Sequence, residues 1–391
     1  MGFLSNLTVT VEIAPGDDPL AATFTWVAVT SDVLFPLISD RGRQSVHQTF
    51  DAGWLSVVLN NASGDYDPSN ASGTHYPNLR KGTPIRITAT YATVTYPVFL
   101  GHITRLARFY SPGGLALVDL EAVENIGLLT RDRVLDRAYA EESTDDRIDA
   151  ALDDGGWPSG ARDLAAGVAS CAALTYSGTV RDIINQAVEA EQGRLFTGRD
   201  GDIIFLNRAN YSSATAAAIF GPVNLDYWGD VTPTDDDDLL INRAEVTGSD
   251  ENTQVSTDAT SIAEHGQSGV SIENPSILGA ASALNVAEWL TGSYATVDTR
   301  IPSIQVAPDK DPTNLYPQVL GRELGDVIQV IFSPPAGDDL DLLVSIERVR
   351  HELANGIWLT TYGVSPLSAL TLTEFWILGT SDDLDTDTIL A

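Results

Sequence analysis

The sequence predicts a mainly β protein with an α/β insertion, and three observations predict it. Runs rich in aromatic and β-branched residues recur between turn clusters, and Leu7, Val9, Val11 and Ile13 alternate as a half-buried strand should. After Leu128 the texture becomes charged, alanine-containing and helical in tendency. Beyond Pro233 and the acidic run Asp235–Asp238, the strand pattern resumes with INRAEVT, residues 241–247.

The elements follow in chain order. GWLSVVL, residues 53–59, reads as a strand, and residues 60–70, dense in Asn, Asp, Ser, Gly and Pro, as a turn-rich loop. A second strand is expected over 85–91, followed by a pair at 96–105 and 115–123 separated by the turn Ser111-Pro112-Gly113-Gly114. A short helix over 145–152 should end at Gly155-Gly156. Val180, Ile183, Ile184, Ala187 and Val188 share one helical face, with Gly193 expected as the cap. Residues 194–206 then form a hairpin around Gly198-Arg199-Asp200-Gly201. Ala283, Val286, Ala287, Leu290 and Tyr294 lie on one face of a helix over 280–294. Strands are expected at VIQVIF, at 342–349, and after the Asn355-Gly356 turn.

Composition narrows the function. A chain of 391 residues exceeds one ordinary core and implies two to four domains. A hydrophobic fraction of 43% describes a folded chain, and no run approaches the roughly 18 apolar residues of a membrane span. The start, MGFLSNLTVTVEIAPGDD, lacks a basic region and a continuous apolar core, so no secretory signal is expected there. Asn6 stands where a myristoylation motif wants Ser or Thr. The net charge of −32 argues against binding phosphates. The excess lies late: residues 231–391 carry 26 acidic against 6 basic groups. Such a surface either solubilises the chain or repels nucleic acid.

Candidate chemistry is thin. Cys171 stands alone, which excludes an internal disulfide, and its small apolar surroundings favour an inert buried thiol. Asp65-x-Asp67-x-Ser69 imitates the start of a calcium loop. However, Asn70 replaces the turn glycine and Tyr76 stands where the bidentate Glu belongs, so Asx turns are the favoured reading. His47, His75, His102, His265 and His351 have no zinc-ligand spacing. Glu141-Glu142 and Asp145-Asp146 read as solvated surface before they read as a glycosidase pair. No nucleophile elbow, P-loop or dinucleotide fingerprint is present. Trp26, Trp54, Trp228 and Trp358 are expected to pack cores. No catalytic residue, cofactor-binding residue or metal ligand is assigned.

One stretch is more specific. Residues 41–87 carry the pattern RGR…F…G…V.L.N..G.YDP.N……YPNL..G.P.RI. Later the chain carries LGD.V.V, V..I.RVRHE and W.TTYGVSP. These segments resemble minor tail proteins of long-tailed actinobacteriophages, within the class of tail-tip or baseplate hub proteins. The resemblance is strong at 41–87 and 319–378 and looser over 130–230. It implies two tube-type β-barrel-like domains, 1–130 and 231–368, flanking an α/β insertion at 131–230, with a carboxyl-terminal arm at 369–391. It also implies a homotrimeric ring of six modules at the distal end of the virion tail, assembled in the host cytoplasm, with duplex DNA passing without specific binding. The implied neighbours are a tail tube or distal-tail ring protein, other tail-tip proteins and the tape measure protein. A structural protein, not an enzyme, is therefore expected. Two alternatives stay open: a distal-tail ring protein, and a tail protein that binds or degrades host-surface carbohydrate.

The last expectation concerns Phe375, Trp376, Ile377 and Leu378, an apolar cluster among five acids and no bases. Burying each large side chain is worth roughly 1.5–3 kcal/mol. The cluster is expected to bind a partner, another subunit or tip protein; folding back on its own barrel is the competing reading. FWILG also resembles a recurrent terminal element of the same family.

Overall fold

The computed structural model describes residues 6–367, apart from 212–214, 223–224, 228 and 298. The first module contains strands β1 (Leu7–Ile13), β2 (Val33–Gly42), β3 (Asp51–Asn60), β4 (Pro84–Tyr91), β5 (Val94–Tyr110) and β6 (Ala116–Glu124). They lie antiparallel in the order β2-β3-β6-β5-β4-β1. Leu7, Val9, Val11 and Ile13 point into the core, as their alternation requires. The β5–β6 hairpin is longer than the apolar pattern predicts. Its ladder continues past the buried stretch, pairing Phe109 with Leu117 in an exposed arm.

The insertion packs α1 (Thr144–Asp154) against α2 (Val180–Glu191), followed by the hairpin β7 (Arg194–Thr197) and β8 (Ile203–Leu206). Ser143 and Thr179 cap the two helices by accepting from the backbone N–H groups of Asp146 and Asp182. Ile183, Ile184 and Ala187 of α2 meet Ile148 and Leu152 of α1 and Phe205 of β8 in one core. The helix end differs from expectation. Gln192, not Gly193, takes the left-handed position at φ 55°, and its side-chain amide donates to the Glu189 carbonyl at 2.6 Å. Gly193 serves close approach instead, since a Cβ there would sit 2.7 Å from the Leu206 carbonyl oxygen.

A second small unit holds β9 (Arg243–Thr247), β10 (Thr253–Thr257) and β11 (Gly269–Glu273), covered by α3 (Gly279–Tyr294). The five apolar-face residues of α3 named above are all buried, in a cluster with Ala244 and Val246 of β9. The chain then forms β12 (Ser303–Val306), α4 (Pro312–Gly321), β13 (Val327–Phe332), β14 (Leu340–Ala354) and β15 (Ile357–Pro366). Leu315, Tyr316, Val319 and Leu320 of α4 enter the same core as the first module, and Tyr316 stacks on Tyr91 with centroids 4.9 Å apart.

β14 joins the two ends of the chain. One stretch pairs with β13, and further on Arg348 to Leu353 pair with Gly42 to Leu37 of β2. On its other edge β14 pairs with β15. The result is a single 12-stranded sheet among the described residues. The register slips between Ile346 and Arg348, which leaves Glu347 as a bulge residue of β14, and again opposite Arg41 of β2, where Ala52 and Gly53 of β3 together face one residue.

Gly42 sits between these bulges at φ +102°, and a Cβ there would lie 2.1 Å from the Glu347 carbonyl oxygen. Neither the dihedral nor the space admits another residue. Gly42→Ala is therefore expected to lower stability by at least about 2 kcal/mol. Urea unfolding of the two proteins checks this, and an unchanged midpoint would contradict it.

Candidate functional site

Arg41-Gly42-Arg43 opens the sequence pattern at 41–87, and the structure places it where the modules meet. Arg41 is 2% exposed. Its Nε donates to Glu124 of β6 at 2.5 Å, and its Nη2 donates to Glu323 at 2.9 Å and to the Thr197 carbonyl of β7 at 2.6 Å. One guanidinium thus ties the first module, the insertion and the last module. Burial alone would lower the Arg41 pKa, but Glu323 and Glu124 together hold it above its ordinary value. Burial in turn raises the Glu124 carboxyl despite Arg41. A second centre forms on the bulge residue Glu347, which is paired with Arg43 at 2.8 Å and with Arg194 of β7 at 2.6 Å. Outside these, Asp40 binds Arg348 and Arg350.

Other positions of the pattern serve the same junction. Phe50 lies under the Arg43 guanidinium, 4.4 Å from its ring centroid. Gly53 donates its N–H to Glu124 at 2.8 Å, and a Cβ on it would meet that carboxylate at 2.6 Å. The rest of the pattern builds one loop. Asn61 accepts the Tyr66 N–H, the Tyr66 hydroxyl donates to Asp32, and Asn70 donates to the Gly64 carbonyl.

Asp65 and Asp67 do not converge. Asp65 accepts from the N–H and hydroxyl of Thr74, and Asp67 from Ser69, Arg108 and Tyr110. Hydrogen bonds from Ser63 and Thr74 hold the Asp65 carboxyl below the usual range, and those from Tyr110, Ser69 and Arg108 do the same for Asp67. Among the described residues no group of three His, Cys, Asp or Glu side chains forms a metal site. The acid pairs cap and bridge: Glu142 pairs with Arg147, Asp145 accepts the Gly167 N–H, and Asp146 accepts from Ser143.

Cys171 is buried, and burial pushes its thiol up to about 12. His351 lies beneath Trp358 and contacts Thr360 at 2.8 Å. Burial, with Arg41 and Arg199 nearby, holds it down to about 3. Trp358 is wholly buried, but Trp54 is 40% exposed on the sheet face beside Arg350, which corrects the expectation that it packs a core. Alternation decides this: Trp54 faces away from Leu55 and Val57, which hold the core positions. Trp228 and the cluster Phe375, Trp376, Ile377 and Leu378 lie outside the described residues.

No family model matches the chain, and no curated protein matches it. Solved structures do. The 43 kDa tail protein of prophage MuSo2 from Shewanella oneidensis aligns over 93% of this chain and 99% of its own, at 10% identity and a TM-score of 0.57. The tail protein from Neisseria meningitidis MC58 aligns over 94% and 100%, at 11% identity and 0.60. A chain of the lidded Francisella PdpA-VgrG complex aligns over 95% of this chain and 54% of its own, at 10% identity and 0.55.

Two outcomes follow from the site. Arg41→Met leaves Glu124 buried without its cation and should cost about 3–5 kcal/mol. Adding Glu124→Gln should recover part of that loss, so a double-mutant cycle in urea must show strong coupling; simple additivity would contradict the pairing. His351 is depressed in the folded state, so its contribution is fully present above its ordinary value of 6.5 and is lost as pH falls toward about 3. Stability measured from pH 7 to 4 should therefore fall less steeply in His351→Leu than in the parent.

The described chain has the fold of these phage tail proteins, mainly β with an α/β insertion.

Proposed function

We propose that this chain is a structural protein of a phage tail tip: the hub that joins a six-fold tail tube to the distal end of a long, non-contractile tail. The observation that carries the reading is the fold likeness to the Shewanella prophage tail protein over nearly the whole of both chains. In this reading three copies form a ring, and each supplies two β-modules locked together through β2 and β14. Six modules then match the six-fold tube, in the manner of the minor tail proteins of actinobacteriophages. The neighbours are the tube or distal-tail ring protein, other tip proteins and the tape measure protein. The chain has no catalytic part to play.

The net charge of −32 supports a lumen that lets duplex DNA slide, because a cationic wall would hold phosphates by counterion release.

A symmetry-resolved electron-microscopy map of the assembled tip tests the reading. The expected result is a trimer with two modules per chain around a channel wide enough for duplex DNA. A hexamer would favour a distal-tail ring protein, and a monomer in the virion would overturn both. The purified ring should leave duplex DNA unshifted on a gel at moderate salt, and binding there would contradict the acidic channel.

A further inference from the structure

The 12-stranded sheet has a second face, turned away from the core that Leu37, Leu55, Val57 and Trp358 enter. Directly opposed residues share a face, so the register identifies the side chains that stand on it. Ile38 opposes Ser56 and Glu352, and Glu352 opposes Leu359. Leu34 opposes Val58, Asn60 opposes Leu117, and Leu117 opposes Phe109. Ile357 and Trp54 stand on the same side, opposite Ala354 and Asp40. The face crosses the β2–β14 pairing and so belongs to both the first and the last module.

A sheet face that meets only water carries polar side chains. This one departs from that rule. Ile357 is 56% exposed, Phe109 55%, Trp54 40% and Leu34 39%. Ile38, Val58, Leu117 and Leu359 lie half-buried among them, and none of the four joins or packs against a buried core of the described residues. The charges between these side chains are paired in place. Asp40 takes Arg348 and Arg350, and Arg350 also reaches Glu352 at 3.4 Å. Arg105 takes Glu121 and, at 3.3 Å, Asp119. Three arginines and four acids leave one net negative charge there, in a chain of −32.

That balance selects the partner. A cationic partner would be drawn to the unbalanced acids elsewhere, above all in residues 231–391, with 26 acidic against 6 basic groups. A partner that is itself strongly acidic needs the reverse: a place where approach meets little repulsion and apolar groups wait to be covered. A second copy, also at −32, is such a partner. Contiguous exposed apolar groups mark association surfaces, and Trp and Arg are enriched at their centres, where Trp54 lies here with Arg350 over its ring.

We propose that this face, from Ile357 across Ile38 and Leu34 to Phe109, is where a second copy of the chain docks. The docked copy covers the first and last modules together, so the face exists only while β2 and β14 stay paired. The number of copies rests on the tail-tip reading; the surface through which they meet does not.

Sedimentation of the purified full chain over a range of concentrations tests this. Leu34→Glu with Ile357→Glu, or Phe109→Glu alone, places unpaired negative charge on the face. Each should weaken self-association at least about tenfold. Circular dichroism and the melting midpoint should stay unchanged, because all three positions are exposed. Leu135→Glu, also exposed but on a separate two-stranded ribbon of the insertion, should leave association unchanged. Raising NaCl from about 0.05 to about 0.5 M should tighten association, because salt screens the repulsion between two acidic chains and takes little from a face whose ions are already paired. Association that weakens with salt, survives the charges on the face, or falls equally with Leu135→Glu overturns the proposal. A chain that stays monomeric also overturns it, by leaving the face to a different tip protein. An assembly of two or six copies that the face charges disperse upholds the face and counts against the three-copy ring.

Discussion

Arg41 must find two carboxylates and a carbonyl in a place closed to water, and the three partners come from three different parts of the chain. Glu124 belongs to the first module, Thr197 to the insertion and Glu323 to the last module. A buried charge that loses its partner costs several kcal/mol, so the guanidinium tolerates no arrangement in which one part is displaced. The second centre, Glu347 between Arg43 and Arg194, repeats the constraint a few ångströms along the same strands. Both centres lie at bulges: Glu347 is the extra residue of β14, whereas opposite Arg41 the extra residue belongs to β3, where Gly53 also gives its N–H to Glu124.

This junction explains why the sheet runs unbroken from the first module into the last. Pairing of β2 with β14 adds ladder hydrogen bonds, but edge pairing alone is weakly specified in register. The ion pairs choose the register, since a slip by one residue would move Arg348 and Arg350 away from Asp40 and put Glu347 out of reach of Arg194. A ring-forming subunit needs that rigidity. If each chain supplies two modules to a symmetric ring, the angle between them is part of the symmetry and cannot drift.

Much of this was legible in the residues. The alternation of β1, the apolar faces of α2 and α3 and the hairpin at 194–206 follow from periodicity and turn chemistry, and the structure places them as expected. The RGR pattern was visible as a signal, but its role was not. A short-range pattern cannot show that Arg41 meets Glu323, almost three hundred residues away. The exposure of Trp54 was readable from its alternation with Leu55 and Val57, but its aromatic character outweighed that pattern.

The central claim is that the junction makes the described modules one cooperative unit. Native-state hydrogen exchange on the full chain measures this directly. The backbone amides of β2, β7 and the second half of β14 should exchange through a single opening with one shared free energy. Arg41→Met should then lower protection in all three strands together. If β14 and β15 keep full protection while β2 and β7 open separately, the modules are independent and the junction does not hold them.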